Sequence, residues 1–485
     1  MAMIYTNLLS FLIVIFVLSL AEAPVRPLVA PQFGLPLFAL TLLLFHRLAG
    51  REQRNILRQG GAKRYFAAEK KLTLLAVAFF AFSLFAFDLK YYLAPLSLGD
   101  RLPVLADTGG LLLFSLFLIL MWFQTRGNYL ALFGGNYSPA SFASLNLRAS
   151  LPIILPWLLL SLLFDLLLLL PFPSLHSLLN SAQNSLLIIM PALMLVLIFL
   201  PALVWRLWNC SPLPPGPQRS MIENFCRRQN FAASILRWPL YEGRMLTAAV
   251  MGLVPRFRYL LLTPALLDLL DQEELEAVLA HEIGHIRHWH LLLYLFLLLG
   301  FSLLAETAAQ QLLVLFFSSS WFWRLVLWAN VAAERLADFL SGTMLLLLLV
   351  LFFRFLFGWF IRNFERQADL HAFRAQQSSQ PLIRAFEKIA AMSGNIREQK
   401  NWHHFGIGER IDFLARCESR PSSAGQHDRK VRLALAAYFL LIGLTVWLVP
   451  APNPDSVNRR TRTAQLEALL HHAPAGSGHE QQEIY

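Results

Sequence analysis

Five residues near the middle of the chain, His281-Glu282-Ile283-Gly284-His285, combine two imidazoles with a carboxylate. A helix places residues four apart on one face, so both histidines would aim at one point, where they could bind a zinc ion. Glu282 cannot point the same way as both ligands, but it lies close enough to take a proton from a water molecule that the metal activates. The motif therefore predicts metal-assisted hydrolysis, the chemistry of a metallopeptidase.

The residues just upstream predict that this motif lies on a helix. Asp271-Gln272-Glu273-Glu274 has the pattern of a capping box, in which Asp271 caps the helix start and Glu274 reaches back to it. Leu270 and Leu275 are placed to form a hydrophobic staple across that start. Apolar residues then follow at helical spacing, and no glycine or proline interrupts them before Gly284.

A catalytic zinc ion needs a third protein ligand, and two downstream segments compete to supply it. Glu334 and Asp338 share the spacing E-x-x-A-D with Glu365 and Asp369, which puts the two acids of each segment one helical turn apart. In the second segment, Glu365 would bind zinc and Asp369 would accept the ring N–H of a ligand histidine. The spacing alone leaves both segments open.

The composition predicts a polytopic membrane protein, because 56% of the 485 residues are hydrophobic and only 15% are charged. Apolar runs of spanning length number about nine. They lie near residues 6–21, 29–46, 72–89, 108–123, 151–171, 185–205, 291–317, 338–358 and 433–450.

Lysine and arginine are concentrated in the loop around residues 47–71, which predicts that this loop is cytoplasmic. Counting spans from there returns residues 206–290 and 359–432 to the same side, and both stretches are also rich in arginine. Glu365 would therefore face the same side as His281, whereas Glu334 follows a single span and would face the other. Orientation thus favours Glu365 as the third ligand. We expect one zinc ion per chain and an active site on the cytoplasmic face of a bacterial inner membrane.

The net charge of +11 fits the inner-surface bias of a membrane protein, with weak attraction to anionic lipid. No nucleic-acid motif accompanies this charge, so nucleic acid is not an expected partner. Cys210, Cys226 and Cys417 all fall on the predicted cytoplasmic side. We expect them to stay reduced, to form no disulfide and to take no part in the metal site.

The sequence predicts a mainly α-helical protein of about nine spans with a zincin-like catalytic domain at the cytoplasmic face. Residues 246–252 and 257–262 read as a short β-hairpin in that domain. The expected order is a membrane region (1–208), a proline-rich linker (209–217), the first protease half (218–290), a transmembrane hairpin (291–358), the second protease half (359–431), a last span (432–450) and a polar tail (451–485).

Between residues 218 and 420 the sequence resembles the membrane-bound gluzincin peptidases, which include HtpX-like quality-control proteases and CAAX prenyl proteases. The stretch LLDLLDQEELEAVLAHEIGHIRHWH, which ends at His290, is similar to that family's zinc helix. The pattern Arg362-x-x-Glu365-x-x-Ala368-Asp369-x-x-Ala372 is similar to its third-ligand helix, whereas the first candidate segment has Val331 in place of the arginine. The resemblance implies that Glu365 is the third zinc ligand.

The segment from His404 to Arg410 resembles the family's His-Pro-Pro segment, whose histidine and arginine lie six residues apart. The resemblance implies that His404 and Arg410 stabilise the oxyanion of the transition state. Both prolines are absent here, and His403 is a rival for the same role. The resemblance also implies that residues 246–252 bind substrate as an added strand.

These observations predict an integral membrane zinc endopeptidase that cleaves membrane proteins or membrane-associated peptides. Because the zinc helix should run straight into the next span, we expect the metal to lie near the membrane surface. One alternative is a sensor-transducer whose protease domain cleaves a single regulatory partner. Another is a pseudoenzyme scaffold, which would require a broken metal or base position. The sequence specifies neither the oligomeric state nor the natural substrate.

Overall fold

A computed structural model describes residues 2–21, 23–54, 56, 61–180, 182–240, 245–392, 405–449 and 454–472. The chain divides into two compact units, one of Met1–Leu291 with Ile361–Gly425 and one of Leu292–Phe360 with Gln426–Tyr485. Most described residues are helical, as the sequence predicts, and one small sheet lies in the first unit.

The part of the first unit before the sheet consists of helices joined by short connections. They are α1 (Ala2–Leu20), α2 (Pro31–Gln53), α3 (Gly61–Ala86), α4 (Leu89–Leu93), α5 (Pro103–Phe133), α6 (Pro139–Leu168), α7 (Pro173–Asn180) and α8 (Ala182–Leu207). Aromatic side chains fill the space between them, and Phe117 on α5 packs edge to face against Phe38 and Phe45 on α2. The buried carboxylate of Asp165 accepts the backbone N–H of Val104 at the start of α5.

Five helical stretches among the described residues are long and apolar enough to cross a membrane. They are Pro31–Gln53, Pro103–Phe133, Ile188–Leu207, His290–Phe317 and Ala333–Gln376. The number rises to seven if two bent pairs each count as one span; Arg64–Ala86 with Leu89–Ser97 bends by 82°, and Pro139–Pro152 with Ile154–Leu168 by 59°. Helices of this length and apolarity are those of an integral membrane protein. The predicted count of about nine spans is not confirmed.

A four-stranded sheet follows the last N-terminal helix. Its strands are β1 (Ser211–Pro212), β2 (Ser234–Arg237), β3 (Ala248–Met251) and β4 (Tyr259–Leu262), in the order β1-β2-β4-β3. The predicted hairpin is confirmed, since β3 pairs antiparallel with β4 from Ala248 opposite Leu262 to Met251 opposite Tyr259. Strand β2 pairs parallel with the other side of β4, so β3 remains at the edge of the sheet.

Helix α9 (Pro217–Arg228) lies between β1 and β2, and α10 (Pro264–Leu269) follows β4. Helix α11 (Gln272–Arg287) carries the His-Glu-x-x-His motif and begins at the predicted capping box, in which Asp271 accepts the Glu274 N–H and Glu274 accepts the Asp271 N–H. Its Leu275, Leu279 and Ile283 are buried in the core beneath the sheet. This burial fixes which face of α11 the histidines present.

The expected straight continuation of the zinc helix into the next span is wrong. Helix α11 ends at Arg287, and a new helix, α12 (His290–Phe317), begins after a break. Trp289 in that break has φ of 57°, a left-handed conformation that a continuous right-handed helix excludes. The break separates the metal-binding motif from the apolar run as two distinct helices.

The second unit contains most of α12, together with α13 (Ser320–Ala329), α14 (Ala333–Leu351), a π-helical segment (Phe352–Phe357), α18 (Ser422–Leu448) for most of its length and α19 (Pro454–His472). The Tyr438 hydroxyl donates to the carbonyl of Leu297, and Gly300 allows the close approach of Tyr438 to α12. The remaining helices of the first unit are α15 (Gly358–Gln376), which begins in the second unit, α16 (Gln380–Met392) and α17 (Ile407–Ser419).

Candidate metal centre

The two histidines of the motif meet on one face of α11. Their Nε2 atoms lie 3.3 Å apart, and both side chains are largely buried. Glu365, on α15, completes the group, since its Oε2 lies 3.8 Å from His281 Nε2 and its Oε1 lies 3.6 Å from His285 Nε2. The three donor atoms all lie within 4.8 Å of one another.

These separations fit a tetrahedral metal ion. Donors about 2.0–2.1 Å from zinc at tetrahedral angles lie about 3.3 Å from each other, close to the separations among His281, His285 and Glu365. Two imidazoles and a carboxylate are also the donor types of a catalytic zinc site, in which three protein ligands leave one position for water or substrate. Glu334, which has the same sequence spacing as Glu365, is exposed.

Asp369 lies one turn beyond Glu365 on α15 and is fully buried. Its Oδ1 is 2.9 Å from His281 Nδ1, so the ring N–H at Nδ1 donates to the carboxylate and the lone pair of Nε2 faces the metal position. Arg410, on α17, donates to both oxygens of Asp369, from Nε at 2.9 Å and from Nη2 at 2.6 Å. The Nη1 atom of Arg410 also lies 3.4 Å from Glu365 Oε2. One guanidinium therefore forms ion pairs with both acids of the second segment.

A second histidine–histidine contact orients His285. The Nδ1 atoms of His285 and His290 are 3.0 Å apart, and His290 Nε2 lies 3.3 Å from Gln367 Oε1. The His290 ring is buried and stacks on Phe364 at 4.5 Å. Sequence reasoning placed His290 in the motif block without giving it a contact and missed Gln367 altogether. The contact between His285 and His290 depends on the left-handed conformation of Trp289, which the residue types do not predict.

Glu282 lies beside the group, and its carboxylate also interacts with the backbone of Val250 on the edge strand β3. Burial raises the pKa of Glu282, and the nearby charge of Glu365 adds to the increase, while His281 opposes it. The candidate base, the ligand group and an unpaired strand edge are therefore adjacent.

The two ligand histidines differ in their protonation. Burial lowers the pKa of His285 to about 4, so its ring is neutral at pH 7. Burial also acts to lower the pKa of His281, but the hydrogen bond and charge of Asp369 outweigh burial and leave the pKa raised. A metal ion would have to displace any proton at His281 Nε2, as is general for imidazole ligands.

Close packing of α11 against α15 brings Glu365 to the histidines. A Cβ added to Gly284 would lie 2.9 Å from the Cβ of His371 and 3.0 Å from the Cα of Ala368, distances shorter than real Cβ contacts. Ala368 itself is fully buried. Gly284, inside the motif, and Ala368, inside the E-x-x-A-D segment, are therefore small because the two helices nearly touch there.

His403 and His404, the two candidates for the oxyanion role, lie outside the described residues. The described chain resumes at Phe405, whose ring centre is 3.7 Å from the guanidinium carbon of Arg366. Cys210, Cys226 and Cys417 are buried and are not joined in disulfides, and the metal group found among the described residues contains none of them.

Comparison with known proteins agrees with this geometry. Residues 239–421 match the model of peptidase family M48, a range that contains both metal-binding helices. This range is less than half of the chain, and over it the sequence is similar to that peptidase family.

The chain is 35% identical over 139 residues to "Protease HtpX homolog 1" of Sulfolobus acidocaldarius. That match covers 28% of this chain and 43% of the relative, so the chain spans less than half the length of the relative. Among solved structures, the crystal structure of S. mikatae Ste24p aligns with 80% of this chain and 100% of that one, at 17% sequence identity and a TM-score of 0.40.

Proposed function

We propose that this protein is an integral membrane zinc endopeptidase, with one zinc ion per chain held by His281, His285 and Glu365. The observation that carries the proposal is the convergence of these three donor atoms within 4.8 Å, beside the carboxylate of Glu282. The family of residues 239–421 supports the metallopeptidase chemistry.

A zinc ion bound there would polarise the substrate carbonyl and make a water molecule more acidic. Glu282 accepts the proton of that water as it attacks the scissile carbonyl, and then delivers the proton to the leaving amine. The raised pKa of Glu282 suits this role, because a carboxylate of higher pKa is a stronger base toward the proton of the water molecule.

His404 and Arg410 are the proposed groups for the oxyanion. The buried guanidinium of Arg410 already binds Asp369 and approaches Glu365, so it supports the transition state chiefly by holding those two acids in place. Direct donation to the oxyanion is then the role of His404. Asp369 acts on the ring of His281, whose tautomer it fixes.

The proposed substrates are membrane proteins or membrane-associated peptides that reach the cytoplasmic face of a bacterial inner membrane. Strand β3 is an edge strand and contacts Glu282 through Val250, so a substrate in extended conformation can pair with it and present a peptide bond to the base. The apolar helices that flank the catalytic residues support a lipid environment for this reaction.

The test is to purify the full chain in detergent, measure its zinc content and assay cleavage of an unfolded membrane protein. Glu282→Gln should retain zinc while cleavage falls by on the order of a thousandfold, because the amide cannot accept the proton. Glu273→Gln is the matched control, since Glu273 lies on the same helix but is exposed and pairs with Arg384. Cleavage by Glu282→Gln at the wild-type rate would exclude this mechanism.

A further inference from the structure

A cavity of about 220 Å³ borders His285, one of the three proposed metal ligands. Its other walls include Phe231, Leu253, Arg258, Arg287 and Trp289. Three of these walls are apolar and two carry guanidinium groups. Because His285 is one wall, an occupant of the cavity lies against a residue of the proposed metal group.

The two arginines are fixed by main-chain carbonyls rather than by acids. Arg258 donates from Nη2 to the carbonyl of Leu253 at 2.7 Å, and its guanidinium carbon lies 5.1 Å from the centre of the Phe231 ring. Arg287 donates from Nη2 to the carbonyls of Gln229 at 2.6 Å and Asn230 at 3.1 Å. Within the described residues, neither arginine forms an ion pair with a carboxylate.

Among the residues that the structure describes, no carboxylate therefore pairs with either guanidinium at the cavity wall. Arginine offers five N–H donors, and the carbonyl contacts of Arg287 use only its Nη2 group. Burial lowers the pKa of Arg258, and the like charge of Arg287 contributes to the decrease. A negatively charged occupant would relieve that repulsion and use the remaining donors.

We propose that this cavity is a substrate pocket that binds a carboxylate, in the first place the side chain of a glutamate near the scissile bond. Phe231, Leu253 and Trp289 would contact the methylene groups, while Arg258 and Arg287 bind the charged end. The same chemistry would accept a free C-terminal carboxylate of the substrate. This inference rests on the proposed peptidase function and names its preferred substrate class.

The experiment compares pairs of peptides that differ only in having glutamate or glutamine at one position. In successive pairs, this position is shifted along each side of the cleaved bond. At one position the wild-type protein should cleave the glutamate peptide with a kcat/KM about ten- to a hundredfold higher, as expected for hydrogen bonds to a charged group. Peptides ending in a free carboxylate or an amide at the same distance show whether a C-terminus substitutes for the side chain.

Charge reversal separates binding from a purely structural role of the arginines. In Arg287→Glu the preference for the glutamate over the glutamine peptide should disappear, because the introduced carboxylate would take Arg258 as its partner. Arg256→Gln is the matched control, because Arg256 is an exposed arginine on the same loop as Leu253 and does not line the cavity. It should keep the wild-type ratio of glutamate to glutamine rates.

The outcomes distinguish the two proposals. If the wild-type protein cleaves no peptide at all, the peptidase function fails. If it cleaves the glutamate and glutamine peptides equally at every position, the peptidase function stands and the pocket assignment is wrong. Equal rates together with loss of binding to anionic phosphatidylglycerol vesicles in Arg287→Glu would assign the cavity to a lipid headgroup and overturn the proposal.

Discussion

The spacing E-x-x-A-D occurs twice in this chain, and the two segments have opposite environments. The first begins near the start of α14, where Glu334 and Asp338 are exposed. Between them, Ala337 is fully buried in a small apolar cluster with Phe316 and Phe322. In this segment the alanine faces the core and the two acids face away from it.

In the second segment all three residues are buried. Glu365 and Asp369 are 6% and 0% exposed, and Ala368 between them is also fully buried. Arg410 contacts both acids, and the imidazole of His281 contacts Asp369, so each buried acid has a basic partner.

The difference teaches that the spacing determines only which residues share a helix face. Partners distant in sequence determine whether that face holds a metal site. Arg410 follows the second segment by some forty residues, and the histidines precede it by some eighty. The local spacing therefore contains no information about Arg410 or the two histidines.

The largest expected difference between the segments is in metal content. Glu365→Gln should lose most of its zinc, because an amide is a much poorer ligand than a carboxylate, and cleavage should be lost with it. Glu334→Gln should bind about one zinc ion per chain, as expected for a site whose three ligands are intact. Metal analysis of the two purified variants checks this, and equal occupancy would mean that Glu365 is not the third ligand.

A smaller difference is expected for the aspartates. Asp369→Asn should weaken zinc affinity by about ten- to a hundredfold, because the orienting bond to His281 changes from a charged to a neutral acceptor. Asp338→Asn should leave the affinity at the wild-type value. Competition with a chelator of known affinity measures both, and identical affinities would show that the contact with His281 does not tune the site.

A third comparison tests the close approach of α11 to the second segment. Gly284→Ala should lower the free energy of unfolding by about 1–3 kcal/mol, because the added methyl group overlaps His371 and Ala368. Gly425→Ala is the control, since a Cβ at Gly425 meets no atom within 4 Å. Thermal denaturation in one detergent compares the variants, and a stable Gly284→Ala with normal zinc content would refute the tight packing inferred here.

The smallest expected effect is a local change in dynamics. Removing zinc with a chelator should increase hydrogen exchange of the amides in residues 361–376, which lose a ligand contact, and leave residues 333–345 unchanged. Mass spectrometry of peptides from the two stretches measures this. Equal increases in both would indicate that the metal stabilises the whole chain rather than the second segment.

Patterns that act within a few residues were predicted from the sequence. The capping box of Asp271 and Glu274 is present, and the hairpin of β3 and β4 forms where the apolar runs and the turn indicated. Each predicted apolar run also overlaps a helix among the described residues.

Features that depend on long-range contacts or rare backbone conformations were not predicted. Strand β2 is only four residues long and pairs parallel with β4, which requires knowledge of the tertiary arrangement. The break at Trp289 depends on a left-handed residue that is neither glycine nor asparagine, so no residue type signals it. The contact of His290 with His285 depends on that break and was missed with it.

The contacts of Arg410 have a consequence for the electrostatic neutrality of the site. The guanidinium of Arg410 interacts electrostatically with three carboxylates, those of Glu282, Glu365 and Asp369. If all three are ionised and the imidazoles are neutral, negative charge in this cluster exceeds positive charge. A divalent cation is what brings such a cluster to zero net charge. Without one, protons can offset part of this charge, which agrees with the raised pKa values of Glu282 and His281. Loading the ion is therefore also an exchange of protons for a metal, which ties occupancy of the site to the pH of its surroundings.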